Sequence, residues 1–131
     1  MSLAVILSII LIHWVADFIF QAEVWAENKS KSLNHLLKHT YTYSAIWLIV
    51  GSLAKATGAI NLEPGVLSLF VLITFVLHTV TDYFTSKIVS KRFANKHYGS
   101  PIPNFGAFTV IGFDQVLHYT QLFLTYYLLT K

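Results

Sequence analysis

The chain has 131 residues, 55% of them hydrophobic and 11% charged, with a net charge of +3 and no cysteine. Soluble domains average roughly a quarter charged residues, so the composition points to one membrane domain. The missing cysteines exclude disulfides, thiolate metal ligands and a thiol nucleophile. The basic residues sit in short loops rather than on a helix face or an aromatic sheet, which excludes nucleic acid as a partner.

Four segments approach the roughly 20 apolar residues that a hydrocarbon core requires: Leu3 to Ala22, Leu36 to Leu53, Val66 to Ser86 and Ala107 to Leu129. Lipid offers no hydrogen-bond partner to the backbone, so these segments are expected as helices. The first carries His13, Asp17 and Gln21, without a basic leader or a small-residue cleavage site, and reads as a retained span rather than a secretory signal. Lys29, Lys31 and Lys38 follow it; Asn28-Lys29-Ser30 matches a glycosylation sequon, which a cytoplasmic position makes accidental. The second span adds His39 and Tyr43, and Gly58, Pro64 and Gly65 mark the turn after it.

The third span holds His78 and Asp82 and is followed by Lys87, Lys91, Arg92 and Lys96. Gly99, Pro101, Pro103 and Gly106 then interrupt the chain, and Lys91 to Phe105 reads as a tether between the spans. The last span contains Asp114, Gln115 and His118. The positive-inside rule makes the first and third connections cytoplasmic and leaves both termini outside. Short connections predict antiparallel neighbours. The expected fold is therefore all-α, an integral membrane four-helix bundle formed by residues 1–131. Trp25, Trp47, Tyr41, Tyr43, Tyr126 and Tyr127 are expected near the membrane interfaces, with no chemistry assigned.

Three spans share one pattern: His13/Asp17, His78/Asp82 and, reversed, Asp114/His118. Residues four apart share a helix face, and the last span runs against the first and third. The reversal therefore sets the three histidines in one layer and the three aspartates in another, nearer the cytoplasm. An aspartate at mid-membrane costs at least roughly 2.5 to 3.5 kcal/mol, so these groups should face inward and be paired. Single polar residues in such helices usually hold helices together; three matched pairs point instead to one functional centre.

Carboxylates and imidazoles suit zinc, manganese or iron. Two divalent ions against three aspartates leave one positive charge, which a hydroxide would neutralise; one ion leaves one negative charge. The expected ligands are His13, Asp17, His78, Asp82, Asp114 and His118. Asp17, Asp82 and Asp114 would serve the reaction by holding an ion that activates water, with His39 as a further ligand, a proton carrier or a hydrogen bonder at the mouth. Gln21 and Gln115 are expected beside the ligands. Lys29, Lys87 and Arg92 are expected as membrane-edge anchors or contacts to an anionic headgroup.

The run His13-Trp-Val-Ala-Asp17-Phe18-Ile-Phe-Gln21, continued by Trp25-Ala26-Glu-Asn-Lys29, His39-Thr-Tyr-Thr-Tyr43, His78 to Asp82 and Asp114-Gln115-Val-Leu-His118, resembles a family of bacterial and phage membrane proteins, domain of unknown function 3307. Family members often place a lysine close after Asp-Tyr; here Lys87 follows Tyr83 by four residues. The resemblance implies a small bacterial inner-membrane architecture like that of proteins labelled metal-dependent hydrolases. The function expected is a metal-dependent hydrolase acting from the cytoplasmic side on a lipid-linked or phosphate-ester substrate. The alternatives are a proton, cation or metal transporter using the same cluster, and a non-enzymatic membrane interaction protein.

Overall fold

The computed structural model describes residues 1–95 and 105–131, and the side chains of 1–91 and 107–131. The described residues form helices and no strand: α1 (Leu3–Trp14), a π-helical turn (Val15–Ile19), α2 (Glu23–Asn28), α3 (Leu33–Ala56), α4 (Pro64–Asn95) and α5 (Phe105–Leu129). Of the expected tether, Lys91 to Phe105, residues 91–95 continue α4 as helix and Phe105 opens α5, while residues 96–104 lie outside the described residues, as does the side chain of Arg92.

Local chemistry accounts for the helix ends. Ser2 caps α1 by accepting from the Val5 amide at 3.3 Å. The π turn closes where the Phe20 amide donates to the Val15 carbonyl, five residues back, at 3.1 Å, and this turn carries Asp17. At the end of α3 the Ala59 amide reaches the Ala54 carbonyl and the Gly58 amide reaches that of Lys55, with Gly58 at φ 73. That is a Schellman motif, and its left-handed position favours glycine. Pro64 then opens α4, where a missing amide costs nothing.

α4 packs along α5 and α3, α1 along α5, and both the π turn and α2 against α3. One end of the assembly gathers the start of α1, the α3–α4 turn and the end of α5; the other gathers the π turn, α2, the far half of α4 and the first half of α5. α1 and α4 thus run one way, α3 and α5 the other.

The distribution of polarity is inverted relative to a water-soluble domain. His13, Asp17, His39, Thr40, His78, Asp82 and His118 are buried, while Leu7, Leu11, Ile49, Leu72, Val76, Val80, Phe113, Val116 and Leu124 point outward. Tyr43 and Trp47, expected at an interface, are interior: Tyr43 is 1% and Trp47 5% exposed. They lie on the face of α3 that also carries His39, and Trp47 packs edge-on against Phe70 at 5.4 Å. Of the four apolar segments read from the sequence, one helix among the described residues, Pro64–Lys91, is long and apolar enough to cross a membrane, and Leu3–Ile19 is apolar but shorter.

Gly51 lets α3 approach α4. A Cβ there would stand 2.5 Å from a Leu67 methyl, but Leu67 borders an apolar cavity of about 380 Å³ into which its tip can turn. Gly51→Ala is therefore expected to cost less than about 1 kcal/mol, and Gly51→Ile about 1–3 kcal/mol through overpacking. Thermal melts followed by circular dichroism would separate the two.

Candidate metal centre

Four helical segments converge on one buried cluster. α4 contributes His78 and Asp82, α5 Asp114, Gln115 and His118, α3 His39 and Tyr43, and α1 with its π turn His13 and Asp17. Because α5 runs against α4, the reversed Asp114/His118 order brings His118 level with His78. Their rings stack at 4.2 Å, Tyr43 stacks on the other face of His78 at 3.9 Å, and the His13 ring lies 5.5 Å from that of His118.

His39 occupies the centre rather than the mouth. Its Nε2 is 3.1 Å from Asp17 Oδ1, 3.1 Å from Asp82 Oδ2 and 3.1 Å from His78 Nε2. One ring nitrogen offers one hydrogen at most, so it cannot bond all three neighbours at once. His78 Nε2 lies 3.6 Å from the same two oxygens. The four atoms make two triangles that share the His39–His78 edge, and each edge lies between 3.1 and 3.6 Å. Metal bonds of about 2.0–2.1 Å in a tetrahedral site place ligand atoms roughly 3.3–3.4 Å apart. Three buried groups, His13/Asp17/His118, Asp17/His39/His78 and His78/Asp82/His118, are close enough to hold a metal ion.

Hydrogen-bond satisfaction distinguishes ligand candidates from supports. His13 has partners on both nitrogens: Tyr43 Oη at 2.7 Å on Nδ1 and Gln115 Oε1 at 2.9 Å on Nε2. The amide oxygen of Gln115 can only accept, so His13 Nε2 donates and Tyr43 donates to Nδ1. Gln115 Nε2 in turn donates to Asp17 Oδ2 and Asp114 Oδ2, each at 3.2 Å. Asp114 Oδ1 accepts from Thr85 at 2.6 Å, so both its oxygens are engaged. Among the described residues, Asp17 Oδ1 and both nitrogens of His118 have no hydrogen-bond partner; His118 faces Asp82 at 3.7 Å and Asp114 at 3.5 Å. His13 and Asp114, expected as ligands, are already satisfied, whereas Asp17, Asp82, His39 and His78 present the atoms that converge.

Lys29 is not a surface anchor in this structure. α2 turns it inward, its side chain is 18% exposed, and Nζ donates to Asp82 Oδ2 at 2.8 Å. Burial opposes its charge, yet the Asp82, Asp17 and Asp114 carboxylates outweigh that and raise its pKa above the ordinary lysine value. Lys87 lies instead over the Tyr83 ring, 3.4 Å from its centroid.

A cavity of about 190 Å³ opens beside the centre at the α2 end, lined by Asp17, Gln21, Lys29, Asp114 and Gln115 with the hydroxyl residues Ser30, Thr85, Ser86 and Ser90. Sequence reasoning overlooked Thr85, and offered Tyr43 both as a polar group of the second span beside His39 and as an interfacial ring. Thr85 lies three residues beyond Asp82, and Tyr43 four beyond His39; spacing signalled both, but serine and threonine are common on helices.

The fold and site define a class, a helical protein built round a buried histidine–carboxylate centre. The chain belongs to the family described as Protein of unknown function (DUF3307), whose model matches residues 5–131. No curated protein and no solved structure matches it.

Gln115→Leu removes the acceptor of His13 Nε2 and leaves two carboxylate oxygens, Asp17 Oδ2 and Asp114 Oδ2, without their donor. At about 1–3 kcal/mol per unpaired buried group, a loss of roughly 2–4 kcal/mol is expected, read as a lowered thermal midpoint. Gln115→Glu keeps the acceptor but sets a like charge between Asp17 and Asp114, and is expected to be at least as harmful.

Proposed function

We propose that the chain is an integral membrane four-helix bundle whose centre binds a divalent ion and hydrolyses a phosphate ester, lipid-linked or otherwise amphiphilic, reached from the cytoplasmic side. The observation that carries this reading is the pair of ligand triangles on Asp17, Asp82, His39 and His78. Membrane placement is supported by apolar side chains facing outward around a polar interior and by the long apolar α4. Loop charge gives the orientation, with both termini outside.

A bound divalent ion supplies Lewis acidity and lowers the pKa of water toward neutrality. The chain's own groups do the rest. Lys29 holds an anionic oxygen in the cavity. The hydroxyls of Ser86 and Thr85 and the Gln21 amide line its wall. His118 stands between the Asp82 and Asp114 carboxylates, at 3.7 and 3.5 Å, with neither ring nitrogen hydrogen-bonded among the described residues. Gln115 and His13 keep Asp17 oriented.

The geometry also favours a dead end over a conduit. Beyond the histidine layer the buried polar groups among the described residues are Ser44, Thr74 and Thr125, followed by the apolar cluster of Ile9, Trp47, Phe70 and Leu122. A cation path would have to cross that cluster.

Elemental analysis of purified protein, prepared with zinc, manganese or iron supplied, is expected to find metal in substantial occupancy. Asp17→Asn and His78→Ala should drop it below about a tenth of an equivalent. His13→Gln should keep most of it. Chelation should abolish, and metal restore, hydrolysis of p-nitrophenyl phosphate or short-chain phosphatidic acid. Wild type without metal would sink the proposal, and Asp82-dependent proton or cation flux in proteoliposomes would favour transport.

A further inference from the structure

We propose that the centre takes one divalent ion and that the Lys29 ammonium is its second cation, supplied by the chain. The inference rests on the metal-centre reading and specifies its stoichiometry. Three carboxylates bring three negative charges into the interior, and a divalent ion with Lys29 brings three positive ones. Two divalent ions together with Lys29 would leave a surplus of two positive charges among groups that are almost fully buried, where uncompensated charge is costly.

The donor atoms say where that ion sits. Asp114 is committed on both oxygens to Thr85 and Gln115, and Asp17 Oδ2 is committed to Gln115. Asp82 Oδ2 is shared between Lys29 and the ligand triangle. Asp17 Oδ1, without a hydrogen-bond partner among the described residues, faces the Nε2 atoms of His39 and His78, which touch each other at 3.1 Å, and this set suits the ion, with Asp82 joining from the Lys29 side. His118, with neither nitrogen hydrogen-bonded among the described residues, stands beside Asp82 for the second ion that loss of Lys29 admits. Lys29 thereby stands one carboxylate away from the ion site and also lines the 190 Å³ cavity. In dinuclear hydrolases two metals about 3.5–4 Å apart clamp the attacking and leaving oxygens of the substrate. Here one of those positions falls to an ammonium that is a point charge with rotatable donors, suited to an anionic phosphate oxygen.

The test is a titration of metal-free, full-length protein in detergent with zinc and with manganese, counting bound metal by elemental analysis after desalting. Wild type is expected to saturate at one equivalent and Lys29→Met at two. Lys29→Met/Asp114→Asn, which removes one charge of each sign, is expected to return to one. Two equivalents in wild type, or one in folded Lys29→Met, overturns the proposal. If Lys29→Met loses its helical circular dichroism, the double variant decides: folded protein with one equivalent supports charge balance, and unfolded or metal-free protein overturns it. No metal in wild type overturns the metal-centre reading itself, a result distinct from a wrong count.

Discussion

Three carboxylates enclosed among helices set the terms for everything around them. Uncompensated, each would cost several kcal/mol, and the structure answers each differently. Asp114 keeps its charge and is stabilised by hydrogen bonds from Thr85 and Gln115. Asp82 takes a lysine. Asp17 is half answered: Gln115 holds one oxygen, while the other faces two imidazoles with no hydrogen-bond partner among the described residues. A fold that fully satisfied its buried charges would have no use for that last oxygen. Its exposure to His39 and His78, inside an otherwise well-paired network, marks the place where a cation fits.

The supporting network is directional. Tyr43 donates to His13, His13 to Gln115, and Gln115 to two carboxylates. Every donor in this series has one acceptor it can use, so the tautomer of His13 and the orientation of the amide follow from chemistry rather than assignment. The series also links three helices and the π turn. Loss of the amide would therefore disturb the position of Asp17 and the packing of α1 on α5 together, which is why stability and metal affinity should move jointly at Gln115 but separately at His13.

Much of the centre was legible from spacing. His13/Asp17, His78/Asp82 and Asp114/His118 could be placed because residues four apart share a helix face, and the reversed third pair because a returning helix inverts order. The stacked His78 and His118 rings are the result. Other parts depend on facts that no local pattern encodes. His39 became the hub because of how deep α3 sits beside α4. Lys29 reads as a loop charge until α2 forms and turns it inward. Tyr43 and Trp47 resemble interfacial aromatics, since a ring at a span end and a ring facing the core have the same local sequence. The division between ligands and supports could not be read at all, because it depends on which oxygen or nitrogen is already bonded.

The two cavities place the chemistry on one side. At the α2 end the cavity ends on Asp17, Lys29 and Asp114 and is walled by hydroxyls; at the other end the space is larger and lined mainly by aliphatic and aromatic side chains such as Ile9, Ile12, Trp47, Leu67 and Phe70. Between them lies the histidine layer, closed by stacked rings with room for one water at most, about 10 Å³, beside Thr74, Gln121 and Thr125. A hydrated cation or an anionic group can therefore approach the carboxylates from the α2 end, whereas passage onward requires shedding water against an apolar cluster. An arrangement that admits charge on one side and stops it at the buried centre fits the proposed hydrolytic site better than a conduit, which would need the second barrier removed.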